Sequence, residues 1–177
     1  VVEMYGMTQV EKIPVGINLH RIEADKYGKL WVTSRGNYGS VRSKMFVLER
    51  ENKFSHKMVV TDTLDIPCSE MCIQGDSLYF YSVEWNNQEE RNNITYGIIN
   101  VRTRELITDH FITDGTENNI EIPYGINVNP ANGDIYVTDA KNYVSSGALH
   151  CYSREGKKKW SVRAGDIPAH MVFLFKK

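Results

Sequence analysis

An isoleucine–proline pair occurs four times along the chain, as Ile13-Pro14, Ile66-Pro67, Ile122-Pro123 and Ile167-Pro168, at intervals of roughly 45 to 56 residues. Four of the five prolines sit in this one motif. A chain that repeats itself at such a period folds as a series of like units, each burying its apolar face on the next. The residues after the pairs recur too. Ile13-Pro14-Val15-Gly16-Ile17-Asn18 matches Ile122-Pro123-Tyr124-Gly125-Ile126-Asn127. Gly28-Lys29-Leu30-Trp31-Val32-Thr33-Ser34 then aligns with Gly133-Asp134-Ile135-Tyr136-Val137-Thr138-Asp139, an offset of 105 residues that also carries Asn37-Tyr38 onto Asn142-Tyr143. The middle copy is more diverged, with Gly75-Asp76-Ser77-Leu78-Tyr79-Phe80-Tyr81-Ser82 in place of that run.

Each unit reads as four short strands. In the third copy they are expected over 125–129, 135–138, 148–152 and 159–164. Ile126-Asn127-Val128-Asn129 and Ala148-Leu149-His150-Cys151-Tyr152 alternate with the period of two that a half-buried strand requires. Turn-forming residues separate them, as in Asn129-Pro130-Ala131-Asn132-Gly133 and Arg154-Glu155-Gly156. No window carries a 3.6-residue apolar period, so helix should fall below about a tenth of the chain, against the usual third. Four strands in about 40–50 residues is the size of a β-propeller blade. Proline opens such a unit well: it donates no ladder hydrogen bond, and it holds the preceding residue extended where the chain crosses to the next innermost strand. The glycine two residues beyond the pair in two copies allows close backbone approach.

Tyr136-Val137-Thr138-Asp139, set within the Ile122 to Asp134 run, resembles the YVTN/NHL class of propeller repeat. It is similar to the surface-layer-like propeller proteins of Gram-negative gut anaerobes. The resemblance covers essentially the whole chain. It implies an all-β fold of propeller blades at about 13–62, 63–119 and 120–166, and an exported protein of the periplasm or outer-membrane surface. It also implies a binding or scaffold role more than catalysis, although a propeller fold alone hosts many activities.

Residues 1–12 and 167–177 are expected to be loose strands flanking three whole blades. Since known propellers have four to eight blades, the chain is expected to be part of a ring of about seven, with blades missing before its N-terminus. The rival expectation is a half-ring that self-associates to cover its open edges.

Loops entering the first strand and loops joining the second and third strands emerge on one face, where binding residues concentrate. That rule selects Arg35, Asn37, Tyr38, Glu70, Trp85, Asn86, Tyr124, Lys141, Asn142, Tyr143 and His170. Asn37-Tyr38, Trp85-Asn86 and Asn142-Tyr143 fall at near-equivalent places in successive units. Flat rings with amides suit a small molecule, a glycan or a protein surface; alternatively, the tyrosines pack between blades and each asparagine caps a turn. The polar stretch Asn86 to Asn93 is expected to be a loop between two strands, either a binding loop or a mobile ornament.

Other signals are weak. His20, His56, His110, His150 and His170 are scattered without metal-ligand spacing, and His150 reads as a sheet residue. Neither a catalytic residue nor a metal or other cofactor is expected. The enzyme alternative is a metal-dependent lactonase-like hydrolase, also a propeller, in which Glu70 and Asp139 would supply oxygen ligands; Tyr124 and Val15 stand at the position where that family carries an Asn ligand. A net charge of −1 lacks the clustered basic surface that nucleic acid needs, and Lys157-Lys158-Lys159 reads as a solvated hairpin. No apolar run reaches the ~18 residues of a membrane span. Cys68, Cys72 and Cys151 have no disulfide or zinc spacing and are expected in the core.

Overall fold

A computed structural model describes residues 6, 11–37, 40–86 and 88–175. It is all-β. Twelve strands form three separate four-stranded antiparallel sheets, and the single helical element among the described residues is a four-residue 3-10 turn at Thr116–Asn119. Each sheet is a simple meander with its strands in chain order, the arrangement of a propeller blade.

The first sheet comprises β1 (Leu19–Ala24), β2 (Leu30–Ser34), β3 (Lys44–Arg50) and β4 (Met58–Leu64). It belongs to a compact unit spanning Val1–Pro67, and the other two sheets share a second unit, Cys68–Lys177. In the first sheet Trp31, Met45 and Val47 are fully buried on one face. Asp25 ties the β1–β2 turn to that face by accepting from the Tyr27 and Lys29 amides and from the Trp31 indole N–H at 3.1 Å. Leu30, Val32 and Leu48 belong to the opposite face, which is an open apolar groove rimmed by Leu19 and Ile22.

The second unit holds β5 (Glu70–Gln74), β6 (Ser77–Asn86), β7 (Arg91–Asn100) and β8 (Leu106–Thr108), then β9 (Pro123–Val128), β10 (Ile135–Asp139), β11 (Ala148–Tyr152) and β12 (Lys158–Arg163). The leading strands β5 and β9 lie side by side, as innermost strands of successive blades do. Between the two sheets lies one apolar layer. Tyr81, Tyr96 and Phe111 face Ile126, Ile135, Val137 and Tyr152, with Tyr96 and Phe111 edge to face at 5.7 Å. All three cysteines are buried, and none is in a disulfide.

Three of the four motif prolines lead into an innermost strand, Pro14 five residues before β1, Pro67 three before β5 and Pro123 opening β9, whereas Pro168 precedes no strand among the described residues. The motif glycine has a physical cause at Gly125, where a Cβ would come within 2.3 Å of the Ala169 carbonyl oxygen. The triple lysine is more than a solvated hairpin. Gly156, at φ 78°, lies so close to the crossover that a Cβ would meet the Phe111 carbonyl oxygen at 1.7 Å. The Lys158 amide donates to Asp114 at 2.7 Å, and the Lys159 ammonium pairs with the buried Asp134 at 2.6 Å.

Two expectations need correction. Residues 167–175 form no strand. Ile167 takes φ 48°, a left-handed conformation unusual for a β-branched residue, and the segment beyond it lies over the third sheet. There Met171 accepts from the Asn127 side chain at 3.1 Å and Phe173 meets the Tyr136 ring at 5.3 Å. Its strand-like alternation faces no neighbouring strand to pair with among the described residues. The stretch 86–93 is mainly strand, because β6 and β7 stay paired out to Asn86 and Arg91. The expected outer strand over 1–12 lies almost wholly outside the described residues.

Candidate functional site

The loop end of the third sheet is built around one carboxylate. Asp139 ends β10, opposite Pro123 of β9 and Ala148 of β11. Only 1% of it is exposed. Its carboxylate accepts three backbone N–H groups: Glu121 at 3.2 Å and Ile122 at 2.9 Å from the incoming crossover, and Lys141 at 2.8 Å from the outgoing loop. A buried carboxylate is tolerated when donors surround it in this way. The crossover and the β10–β11 loop are therefore fixed to each other.

That loop is held in an uncommon shape. Lys141 and Tyr143 both have positive φ, 49° and 63°, and non-glycine residues persist there only when their surroundings enforce it. Asn142 enforces part of it by accepting from the Val144 and Ser145 amides at 3.1 and 2.8 Å. The Tyr143 ring packs edge-on against Tyr124 at 5.8 Å.

Beside the loop opens a cleft of about 560 Å³, lined among others by Asn119, Lys141, Ser146, His150, Ser161 and Arg163. Arg163 donates to the Ser146 hydroxyl at 2.7 Å. His150 comes from the middle of β11, paired with Val137 and Ser161. It is 5% exposed, and neither ring nitrogen has a hydrogen-bond partner among the described residues. Burial pushes its imidazole below the ordinary histidine range, with Lys158 and Lys141 adding to the effect and Asp139 opposing it. It is therefore neutral at pH 7. Nearby, burial raises the Tyr96 phenol far above its ordinary value, helped by Tyr152, Asp139 and Glu117.

The structure sorts the sequence-selected residues into groups. Lys141, Asn142, Tyr143 and Tyr124 come together at this end of the third sheet. Glu70 opens β5 in the same unit; it is buried, and one carboxylate oxygen accepts the Met71 amide at 3.0 Å. Trp85 and Asn86 stand on the β6–β7 arm, with Trp85 59% exposed. His170 is exposed on the segment over the third sheet. Arg35 and Asn37 belong to the first unit, where Arg35 meets the His20 imidazole at 2.9 Å. Tyr38 lies outside the described residues.

The three asparagines do the same local work. Asn37 accepts from the Val41 amide at 2.8 Å, Asn86 from Gln88 at 2.9 Å, and Asn142 as above. Their amides cap loops, which is the turn reading of the repeat. His150, Arg163 and Ser146 were missed by sequence reasoning. The available signal was the strand alternation, which puts His150 on the same inward face as Tyr152.

The residues do not fit a resident metal. The Asp139 oxygens are committed to backbone donors, and among the described residues no group of three His, Cys, Asp or Glu could hold an ion. No helix among the described residues is long and apolar enough to cross a membrane. No protein-family model matches the chain, and no curated protein matches it.

Proposed function

We propose that this chain is a non-catalytic binding module of YVTN/NHL type that holds a small ligand at the loop end of its third blade. The observation that carries the reading is the cleft beside the Asp139-anchored loop: about 560 Å³, a largely apolar surface set with Lys141, Ser146 and Arg163, and a buried imidazole in its lining. That volume lies within the range of small-molecule sites, ~300–1,000 Å³. Rigid strands carrying a pre-shaped loop are the usual platform for recognition. Nothing in the donor set favours the hydrolase alternative. Export to the bacterial envelope belongs to the same proposal and rests on the repeat resemblance.

The test is a fragment screen on isotope-labelled protein, read by amide chemical shifts. Ligands should perturb 141–148 and 161–163 together. A screen whose hits all map elsewhere, or one with no hits at all, rejects the cleft as the binding site.

A further inference from the structure

Resting on the cleft as a binding site, we propose that its ligand is a small oxyanion, a carboxylate or phosphoryl group received between Lys141, Arg163 and the His150 imidazole. The first ground is His150 itself. A buried polar group without a partner is costly, and here both nitrogens of one ring, itself only 5% exposed, lack partners among the described residues while the ring lines the cleft. An oxyanion accepts from the one N–H of the neutral ring and so recovers part of that cost on binding.

The second ground is the balance of donors and charge. Lys158 acts on the imidazole from β12 and Lys141 from the loop, and Arg163 lines the same cleft from the end of β12. Against these cations stands Asp139, whose oxygens already take three backbone N–H groups. Arg163 spends one N–H on Ser146, and the Ser146 hydroxyl, having accepted there, has its own hydrogen to give. Ser145 gives its hydroxyl hydrogen to Asn142 at 2.9 Å. Lys141, Arg163 and the Ser146 hydroxyl thus bring donors to the cleft, which suits a group that only accepts. A neutral polyol, which must both give and accept, is served less well.

The third ground is preorganisation. Lys141 is fixed by the Asp139 contact to its own amide and by its left-handed backbone. Binding therefore does not have to order the loop, and that cost of association is avoided.

The experiment tracks the His150 ring and the loop amides by NMR while sodium sulfate, sodium gluconate or uncharged sorbitol is added at constant ionic strength. Sulfate stands for a phosphoryl group and gluconate for a carboxylate; neither titrates near neutrality. Sulfate, gluconate or both should move the His150 ring and residues 141–147, raising the pH at which the ring protonates; which one binds more tightly names the source. Lys141→Gln and Arg163→Gln should each weaken binding about tenfold, the size of one charge-assisted hydrogen bond, with thermal stability unchanged. If sorbitol alone moves these residues, the oxyanion is wrong and the cleft stands. Anion effects confined to exposed lysines, with His150 unmoved, overturn the proposal, as does silence from all three probes; the separate fragment screen then decides whether the cleft binds anything.

Discussion

Replacing Asp139 with alanine should cost about 3 kcal/mol of folding stability. Its carboxylate accepts from Ile122 and Lys141, both half-buried, and from Glu121 at the longer distance of 3.2 Å. The Glu121 residue is exposed, so water replaces that contact cheaply. The other two N–H groups lose charge-assisted bonds worth ~1.5 kcal/mol each and gain only partial hydration. Asp139→Asn keeps the Oδ1 acceptor that serves both Ile122 and Lys141 and loses the charge, so it should cost about half as much. The assay is urea unfolding monitored by tyrosine fluorescence, with the slope checked for constancy. For a slope of about 2 kcal/mol/M, the alanine variant should shift its midpoint down by ~1.5 M. The order wild type above Asn above Ala is the diagnostic result. Equal midpoints for all three would mean that the carboxylate does not hold the crossover to the loop. The alanine variant should also lose sulfate binding, because Lys141 is no longer fixed.

Other outcomes rest on single contacts. Gly133 and Gly156 share nearly the same φ, 77° and 78°, but a Cβ at Gly133 meets only the flexible Arg154 side chain at 3.4 Å. Gly133→Ala should therefore cost about 1 kcal/mol of strain, and Gly156→Ala clearly more, since the Phe111 backbone must move; paired thermal melts compare them. The folded-state pKa of His150 lies below its unfolded value. Below about pH 6.5 the unfolded chain takes up a proton that the folded one refuses, so stability is full above that pH and falls as pH drops toward the folded pKa. Melting curves at pH 7.5 and 5.5 should converge more in His150→Gln than in wild type. The open apolar face of the first sheet exposes Leu19 by 50% and Ile22 by 59%. A second copy covering it would make the 20.3 kDa chain associate at micromolar concentration; light scattering should show this, and Ile22→Lys should reverse it. A monomeric wild type overturns that expectation.

The blades were legible because their cause is local. Alternation, turn glycines and the Ile-Pro crossings are written residue by residue, and the strands expected in the third copy lie within two residues of those found. The β6–β7 arm was not legible for a physical reason. Trp85, Arg91, Asn92 and Asn93 are exposed, so no buried face imposes the period of two that marks a strand. The segment after Ile167 misled in the opposite way. Met171 and Phe173 turn toward the third sheet while Val172 and Leu174 are 79% and 89% exposed, so the alternation is real, but a strand also needs a ladder partner. The candidate site was half legible. Lys141 to Tyr143 could be picked because loops at that end are long and polar, whereas His150 looks like any strand residue until its uncommitted nitrogens are seen.

The repeat position of Asp139 on the second strand of its blade explains why the cleft arises in the third. The repeat aligns Ser34, Ser82 and Asp139 there. Ser34 reaches both sides with one oxygen, its hydroxyl donating to the Ile17 carbonyl of the crossover at 2.5 Å and accepting from the Gly36 amide of the outgoing loop at 3.4 Å. In the second sheet the link comes from the other side, with the Ser69 hydroxyl accepting from the Val83 amide at 2.9 Å. A serine presents one oxygen; a carboxylate presents two, with room for several donors. Asp139 uses that capacity to hold both the incoming crossover and the Lys141 amide of the outgoing loop. Serine at this position reaches crossover and loop through a single uncharged oxygen, and at Ser34 the loop contact is stretched to 3.4 Å. The change from serine to aspartate adds a charge and a second oxygen to this bridge, and the tighter clamp shapes the loop that walls the cleft. Asp139→Ser should accordingly keep the blade while loosening Lys141, so that sulfate binding falls further than stability does.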